Sequence, residues 1–245
     1  MSGMNALVVG SSRGIGRSIA VGLANAGAAV VGVARSSDAL DELDDEIREG
    51  GGQFLGLTQD LGEADAIDEW VDEAWRWRGS IDCLVNAAGV TNRSTALEVT
   101  TAEWDQLFDL NLRGAFFLMQ ALGKRMLASD GGTIVNIASL SGVVSDGAQA
   151  VYSASKAAMI RMTSVLANQW APQIRLNCVS PGWVETEMTS NFLAVDSNRS
   201  AILECTPLQR VAAPTEMVGS VLFLLSDMSS FMTGQNLVVD GGWTS

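Results

Sequence analysis

Residues 6–27 read ALVVGSSRGIGRSIAVGLANAG. The apolar run Ala6–Val9 stops at Gly10, and a helical apolar period through Ile19, Ala20 and Leu23 opens after Gly16. Between them stand Gly10, Gly14 and Gly16, spaced G-x-x-x-G-x-G, with Ser12, Arg13 and Ile15 interleaved. A strand that turns through glycines into a helix leaves unpaired N–H groups and the positive end of the helix dipole at the turn. Glycines there let a pyrophosphate approach the backbone. An ordinary glycine-rich turn would show the same three residues. The strand–turn–helix setting is what favours phosphate binding over it.

The alternation continues along the chain. Candidate strands are Ala6–Val9, Ala29–Ala34, Gln53–Leu57, Ile81–Asn86, Gly132–Ala138, Ile174–Val179 and Asn236–Val239. Candidate helices lie near Ile15–Ala26, Asp38–Glu49, Ala64–Trp77, Ala102–Leu127, Tyr152–Trp170 and Thr215–Leu225. This order predicts right-handed βαβ units in a doubly wound α/β Rossmann-type fold, with helices on both faces of a parallel sheet. The strands are continuous apolar runs, as two-sided burial requires. No repeat, low-complexity tract or linker divides the chain, so residues 1–245 are expected to form one domain. Ligands bind such sheets beyond the carboxyl ends of the strands, so the residues just after each strand matter most.

Composition removes several function classes. The 245 residues are 47% apolar and 18% charged, with mean hydropathy +0.20. That supports a sizeable core and excludes disorder as the main state. No unbroken apolar run approaches the roughly 18 residues of a membrane span. The opening MSGMNALVVG has no basic segment before its apolar stretch, so no secretory signal is expected. Fifteen Lys and Arg against 28 Asp and Glu give a net charge of −13, which disfavours a nucleic-acid partner. Fourteen of those acids fall between Asp38 and Glu73, read here as solvated helical faces. There is no histidine, hence no imidazole base or ligand. Cys83, Cys178 and Cys205 are too scattered for a zinc pattern, so no metal site is expected. Unpaired thiols fit a reducing cytoplasm.

The later strand ends add detail. After the second strand come Ala34 and Arg35. In dinucleotide folds this edge meets the adenosine ribose, where an acid suits the 2′-hydroxyl of NAD and a guanidinium suits a 2′-phosphate. The pair therefore favours NADP(H), with Arg13 in reach of the same phosphate. The competing reading is two solvated surface arginines. Asp60-Leu61 ends the third strand, where Asp60 can accept from an adenine amino group. Asn86-Ala87-Ala88-Gly89 ends the fourth, where small residues let a flat ring lie on the backbone.

The chain has one tyrosine, Tyr152, and Lys156 follows it by one helical turn, on the same face. A free phenol titrates near 10, too high for proton exchange at neutral pH. An ammonium beside it favours the phenolate and makes it a usable acid–base group where histidine is lacking. Ser139 ends the fifth strand, thirteen residues before Tyr152, and its hydroxyl can donate to a carbonyl oxygen that gains charge. Ser141 and Gln149 lie in the same connection and are candidates to line a substrate pocket. A surface lysine, a packing tyrosine and a loop-starting serine are the bland alternatives.

Taken in order, Gly10-x-x-x-Gly14-x-Gly16, Asp60, Asn86-Ala87-Ala88-Gly89, Asn111, Ser139, Tyr152-x-x-x-Lys156 and Pro181-Gly182 followed by Thr186 resemble the short-chain dehydrogenase/reductase family. The resemblance covers essentially the whole chain. It implies seven parallel strands in the order 3-2-1-4-5-6-7 and hydride transfer between a nicotinamide and the substrate carbon. It further implies that Ser139 orients the substrate oxygen and that Tyr152 exchanges the proton. Lys156 would bind the nicotinamide ribose and lower the tyrosine pKa. Asn111 would hold a relay water through its backbone, and Thr186 would place the carboxamide. Arg35 would meet the 2′-phosphate, although some relatives with a base there accept NAD(H) as well.

Residues 183–206 show no clear period, and the resemblance makes them a specificity lid. Trp183 is either a core residue or an apolar, sugar-stacking wall. Two substrate readings survive: a small sugar, polyol or sugar acid, and a 3-oxoacyl group on a carrier protein. Carrier proteins are acidic and call for a basic rim, which a chain of net charge −13 supplies poorly, so the first is preferred. A catalytically idle nucleotide sensor is the alternative outside enzymes. Apolar residues around the helices near Ala102–Leu127 and Tyr152–Trp170 exceed what one sheet contact absorbs, and together with the resemblance they predict a homotetramer.

Overall fold

A computed structural model describes residues 1–92, 94–145 and 149–245. In chain order its elements are β1 (Asn5–Val9), α1 (Gly14–Asn25), β2 (Ala29–Ala34), α2 (Ser37–Glu49), β3 (Gln53–Thr58), α3 (Ile67–Arg78), β4 (Cys83–Asn86), α4 (Thr101–Phe108) and α5 (Ala115–Leu127). Then follow β5 (Gly132–Ile137), α6 (Ala150–Trp170), β6 (Ile174–Pro181), α7 (Glu187–Leu193), α8 (Asp196–Cys205), α9 (Glu216–Leu225) and β7 (Asn236–Val239). The strands form one parallel sheet in the expected order 3-2-1-4-5-6-7. Val9 pairs with Val33 and Asn86, and Ile137 with Val179, so the carboxyl ends come level along one edge.

The period-two alternation of the strands builds two apolar layers. Leu7, Val31, Leu84, Ile134 and Leu176 face Trp70 of α3, Leu118 and Leu122 of α5, and Leu166 of α6. Ala6, Val8, Val30, Val85 and Val135 face Ile19 and Leu23 of α1, Leu43 of α2 and Leu224 of α9. The acidic helices α2 and α3 bury only their apolar stripes. Their acids turn outward, several onto arginines: Asp44 on Arg48, Glu46 on Arg17, and Asp72 on Arg76 and Arg125. Among the described residues no helix is long and apolar enough to cross a membrane, and no group of acids and cysteines is placed to hold a metal ion.

Two expectations change. The single helix near Ala102–Leu127 is interrupted by a π turn at Asp109–Gly114. At Gly114 a Cβ would stand 2.1 Å from the Leu61 carbonyl oxygen, so the helix meets the loop after β3 with no room for a side chain. π turns of this kind recur at functional sites. The segment 183–206, read as aperiodic, holds α7 and α8. Each buries one residue of its own, Leu193 and Ile202, too few to write a period into the sequence.

Candidate active site

A cleft of about 280 Å³ opens at the carboxyl edge of the sheet. Its walls are Gly10, Ser12, Arg13, Gly14, Ile15 and Gly16 after β1, Arg35 after β2, Asp60 and Leu61 after β3, and Ala87 and Gly89 after β4. Ser139 and Ser141 follow β5, Gln149, Tyr152 and Lys156 open α6, and Pro181, Gly182, Trp183 and Thr186 follow β6. The strand–helix alternation thus brings to one surface residues spread over most of the chain.

At the β1 end the backbone is packed as a dinucleotide cradle requires. A Cβ on Gly16 would lie 2.0 Å from the Gly10 carbonyl oxygen, and one on Gly10 would lie 2.7 Å from the Ala88 nitrogen. Gly14 has φ +54°, a left-handed conformation that favours glycine. The turn therefore presents bare backbone at the helix N-terminus, which fits a pyrophosphate. Arg35 stands 3.7 Å from the Asp60 carboxylate, with its side chain 62% exposed. A guanidinium so lightly engaged is available to a 2′-phosphate. Arg13 is placed differently from expectation: its guanidinium pairs with Glu187 of α7 at 2.5 Å. It bridges the glycine turn to the segment after β6.

The chemical end gathers Ser139, Tyr152 and Lys156. Lys156 is 4% exposed, and its ammonium donates to the Ile137 carbonyl at 3.0 Å and lies 5.8 Å from the Tyr152 ring centroid. Burial holds its pKa down at about 8. Burial also pushes the Tyr152 phenol above its ordinary value, and a hydrogen bond with Ser139 pulls it back in part. Lys156 is not among the causes of that shift. Loss of hydration sets its direction, and Ser139 supplies the compensating pull.

Two residues expected at the site lie beneath it. Asn86 is fully buried, and its side-chain nitrogen reaches the Asn136 side-chain oxygen at 3.4 Å. As the last residue of β4 it points into the sheet, and its neighbours Ala87 and Gly89 form the wall. Asn111, in the π turn, is also fully buried. Its side chain accepts from the Val90 N–H at 2.9 Å, and donates to the Val90 carbonyl at 2.9 Å and to the Ser155 hydroxyl at 3.2 Å. Ser155 in turn donates to the Tyr152 carbonyl at 2.7 Å. Asn111 thus ties the loop after β4 to the helix that carries Tyr152 and Lys156. Sequence reading missed Thr91 and Trp243, which also line the cleft. A position two residues past Gly89 and a Gly-Gly turn before Trp243 were the available signals.

The depressed pKa of Lys156 sets a pH dependence. Between about 8 and the ordinary 10.5 the unfolded chain holds a proton that the folded chain has released, so stability rises with pH across that window. From pH 8 to pH 9.5, urea denaturation should show the wild type gaining about 1–2 kcal/mol over Lys156→Met. Parallel stability curves would contradict it.

A family model for short-chain alcohol dehydrogenases, described as enoyl-(acyl carrier protein) reductase, matches residues 9–244. The chain is 36% identical over 245 residues to the 2-dehydro-3-deoxy-D-gluconate 5-dehydrogenase of Escherichia coli (strain K12), covering 99% of this chain and 96% of that one. It is 38% identical over 240 residues to a 3-oxoacyl-(acyl-carrier-protein) reductase of Synechocystis sp., covering 97% and 95%. The crystal structure of a gluconate 5-dehydrogenase from Burkholderia cenocepacia J2315, in complex with NADP and tartrate, matches with a TM-score of 0.96 at 34% identity, over 100% of this chain and 96% of that one. With the ordered motifs on one cleft and the sheet order they require, the chain belongs to the short-chain dehydrogenase/reductase family.

Proposed function

We propose that this chain, acting as one catalytic domain, is an NADP(H)-preferring oxidoreductase that interconverts a secondary alcohol and a carbonyl on a small sugar acid or related polyol. The observation that carries the reading is the convergence of Ser139, Tyr152 and Lys156 on the cleft that also holds the bare glycine turn. The sugar-acid substrate is supported by the names of the Escherichia coli and Burkholderia relatives, and the cofactor by Arg35 and the NADP bound in the Burkholderia structure.

Gly10, Gly14, Gly16 and Arg35 would hold the phosphates. Asp60 and Leu61 would flank the adenine, Ala87 and Gly89 the ring system, and Pro181, Gly182 and Thr186 the carboxamide. A nicotinamide supplies the two-electron exchange with the substrate carbon. The chain supplies the proton and the geometry. Ser139 bonds the substrate oxygen and Tyr152 exchanges its proton with it. Lys156, anchored on the Ile137 carbonyl, stands where an ammonium favours the phenolate once the site is filled. Asn111 holds the loop and α6 in register. Ser141, Gln149 and Trp183 contact the rest of the substrate.

The carrier-protein reading has support in the Synechocystis relative. Against it stands the charge around residues 183–216. Arg13 is paired with Glu187, Arg199 with Glu185 and Arg210 with Glu216, so the bases there are already neutralised. An acidic partner would find little free positive charge. We further propose a cytoplasmic homotetramer. Phe117 of α5 and Val165 of α6 remain 37% and 39% exposed, on the helices expected to pack against a second copy, and β7 ends the sheet with an open edge.

Tyr152→Phe keeps the ring and removes the proton. It should cut kcat by about 10³-fold or more while NADPH binding, followed by fluorescence, persists. Near-normal turnover would rule out the tyrosine. Arg35→Asp replaces attraction for the 2′-phosphate with repulsion. The ratio of kcat/KM for NADPH over NADH should invert, and a wild type that prefers NADH would refute the cofactor assignment. Light scattering after size exclusion should give about four times the 25.8 kDa chain mass. A monomer mass would refute assembly.

A further inference from the structure

Past Ser139 and Tyr152 the cleft runs between two unlike walls. One is aromatic. Trp183 stacks on Phe192 of α7, with ring centroids 5.1 Å apart and planes 12° apart. Trp243, third from the end of the sequence, lines the same cleft and packs in the same small apolar cluster. The turn that delivers it is tightly braced. The Asp240 carboxylate accepts from the Gly242 N–H at 2.9 Å, and from the Thr244 N–H and hydroxyl at 2.9 and 2.8 Å. Gly242 has φ +92°, and a Cβ there would meet Pro207 at 2.9 Å. Here the bracing fixes an indole on the cleft wall.

The other wall is polar. The Thr91 hydroxyl donates to the Gln149 side-chain oxygen at 2.7 Å, joining the loop after β4 to the start of α6. Gln149 holds φ +52° and ψ +52°, a left-handed conformation that a non-glycine residue seldom adopts. With its oxygen held by Thr91, the Gln149 amide nitrogen meets no acceptor among the described residues, which leaves its N–H donors for a ligand.

We propose that Trp243 and Thr91 are specificity-determining residues of this cleft, which together select a short polyhydroxylated chain. The inference rests on the reading of the cleft as the substrate site. Carbon-bound hydrogens of such a chain lie against the indoles of Trp243 and Trp183. Its hydroxyls bond the Gln149 amide, which Thr91 holds in place. An acyl chain would satisfy the aromatic wall and leave the polar one unpaired, and a site built for hydrogen bonds rejects a ligand that cannot make them.

The test measures oxidation of gluconate, a six-carbon polyol and 2-butanol with NADP⁺, by wild type, Trp243→Ala, Trp243→Phe, Thr91→Val and Thr91→Ser. NADPH fluorescence titration reports that each variant is folded. The ratio of kcat/KM for the hydroxylated substrates over 2-butanol should fall about tenfold in Trp243→Ala and in Thr91→Val, through KM, and recover in Trp243→Phe and Thr91→Ser. If one variant fails to bind NADPH, the other carries the test. A ratio within about twofold of wild type in the folded variants overturns the proposal while leaving the oxidoreductase reading intact. A wild type that oxidises none of the three substrates but reduces a 3-oxoacyl thioester overturns the substrate reading and this proposal with it.

Discussion

The site depends on how closely the turns after β1 and β4 approach each other. No heavy atom beyond the backbone fits at Gly10 or Gly16, because the Ala88 backbone and the Gly10 carbonyl already fill those places. A Cβ on Gly89 would come within 3.3 Å of both the Lys156 ammonium and the Asn111 side-chain oxygen. The glycine turn, the loop after β4 and the helix of Tyr152 are therefore registered on one another through missing side chains. Any substitution that adds volume there moves the lysine relative to the glycine turn. Packing interiors have no slack to absorb such a shift.

That registration has an electrostatic cost. Burial favours the neutral form of both acid–base groups, raising the phenol of Tyr152 and lowering the ammonium of Lys156 to about 8. The Ile137 carbonyl offsets part of the lysine's loss of hydration, and Ser139 part of the tyrosine's. The two buried cysteines show the same force without a role in proton exchange: burial raises the thiols of Cys83 and Cys178 to about 12 and keeps them protonated. A low-dielectric site makes each later charge that enters it count for more.

The sheet was legible because both of its faces are buried. Continuous apolar runs such as Val30–Val33 and long amphipathic helices such as α3 leave strong, local marks on the sequence. The glycine turn, Tyr152 and Lys156 were legible for a related reason, since backbone approach and helical spacing are local rules. What was not legible depends on contacts between distant segments. The π turn around Asn111 answers to Leu61, and the inward turn of Asn86 answers to Asn136. Arg13 answers to Glu187, far along the chain. Arg175 is a further case: on β6, it donates to the carbonyls of Leu224, Ser226, Ser229 and Met232 and pins the connection from α9 to β7. Nothing near Arg175 in the sequence marks it as a clamp.

The small cluster of Leu193, Ile202 and Val211 with Trp183, Phe192 and Trp243 has no member in common with the two large cores that hold the sheet. The apolar packing that holds the sheet is thus separate from the small cluster behind the cleft wall. Mutations that repack the second leave the first, and with it the stability of the whole, largely untouched. The cleft wall can therefore be repacked without disturbing the contacts that level the strand ends. Reshaping that wall asks for changes only in the turn before Trp243 and in α7 and α8.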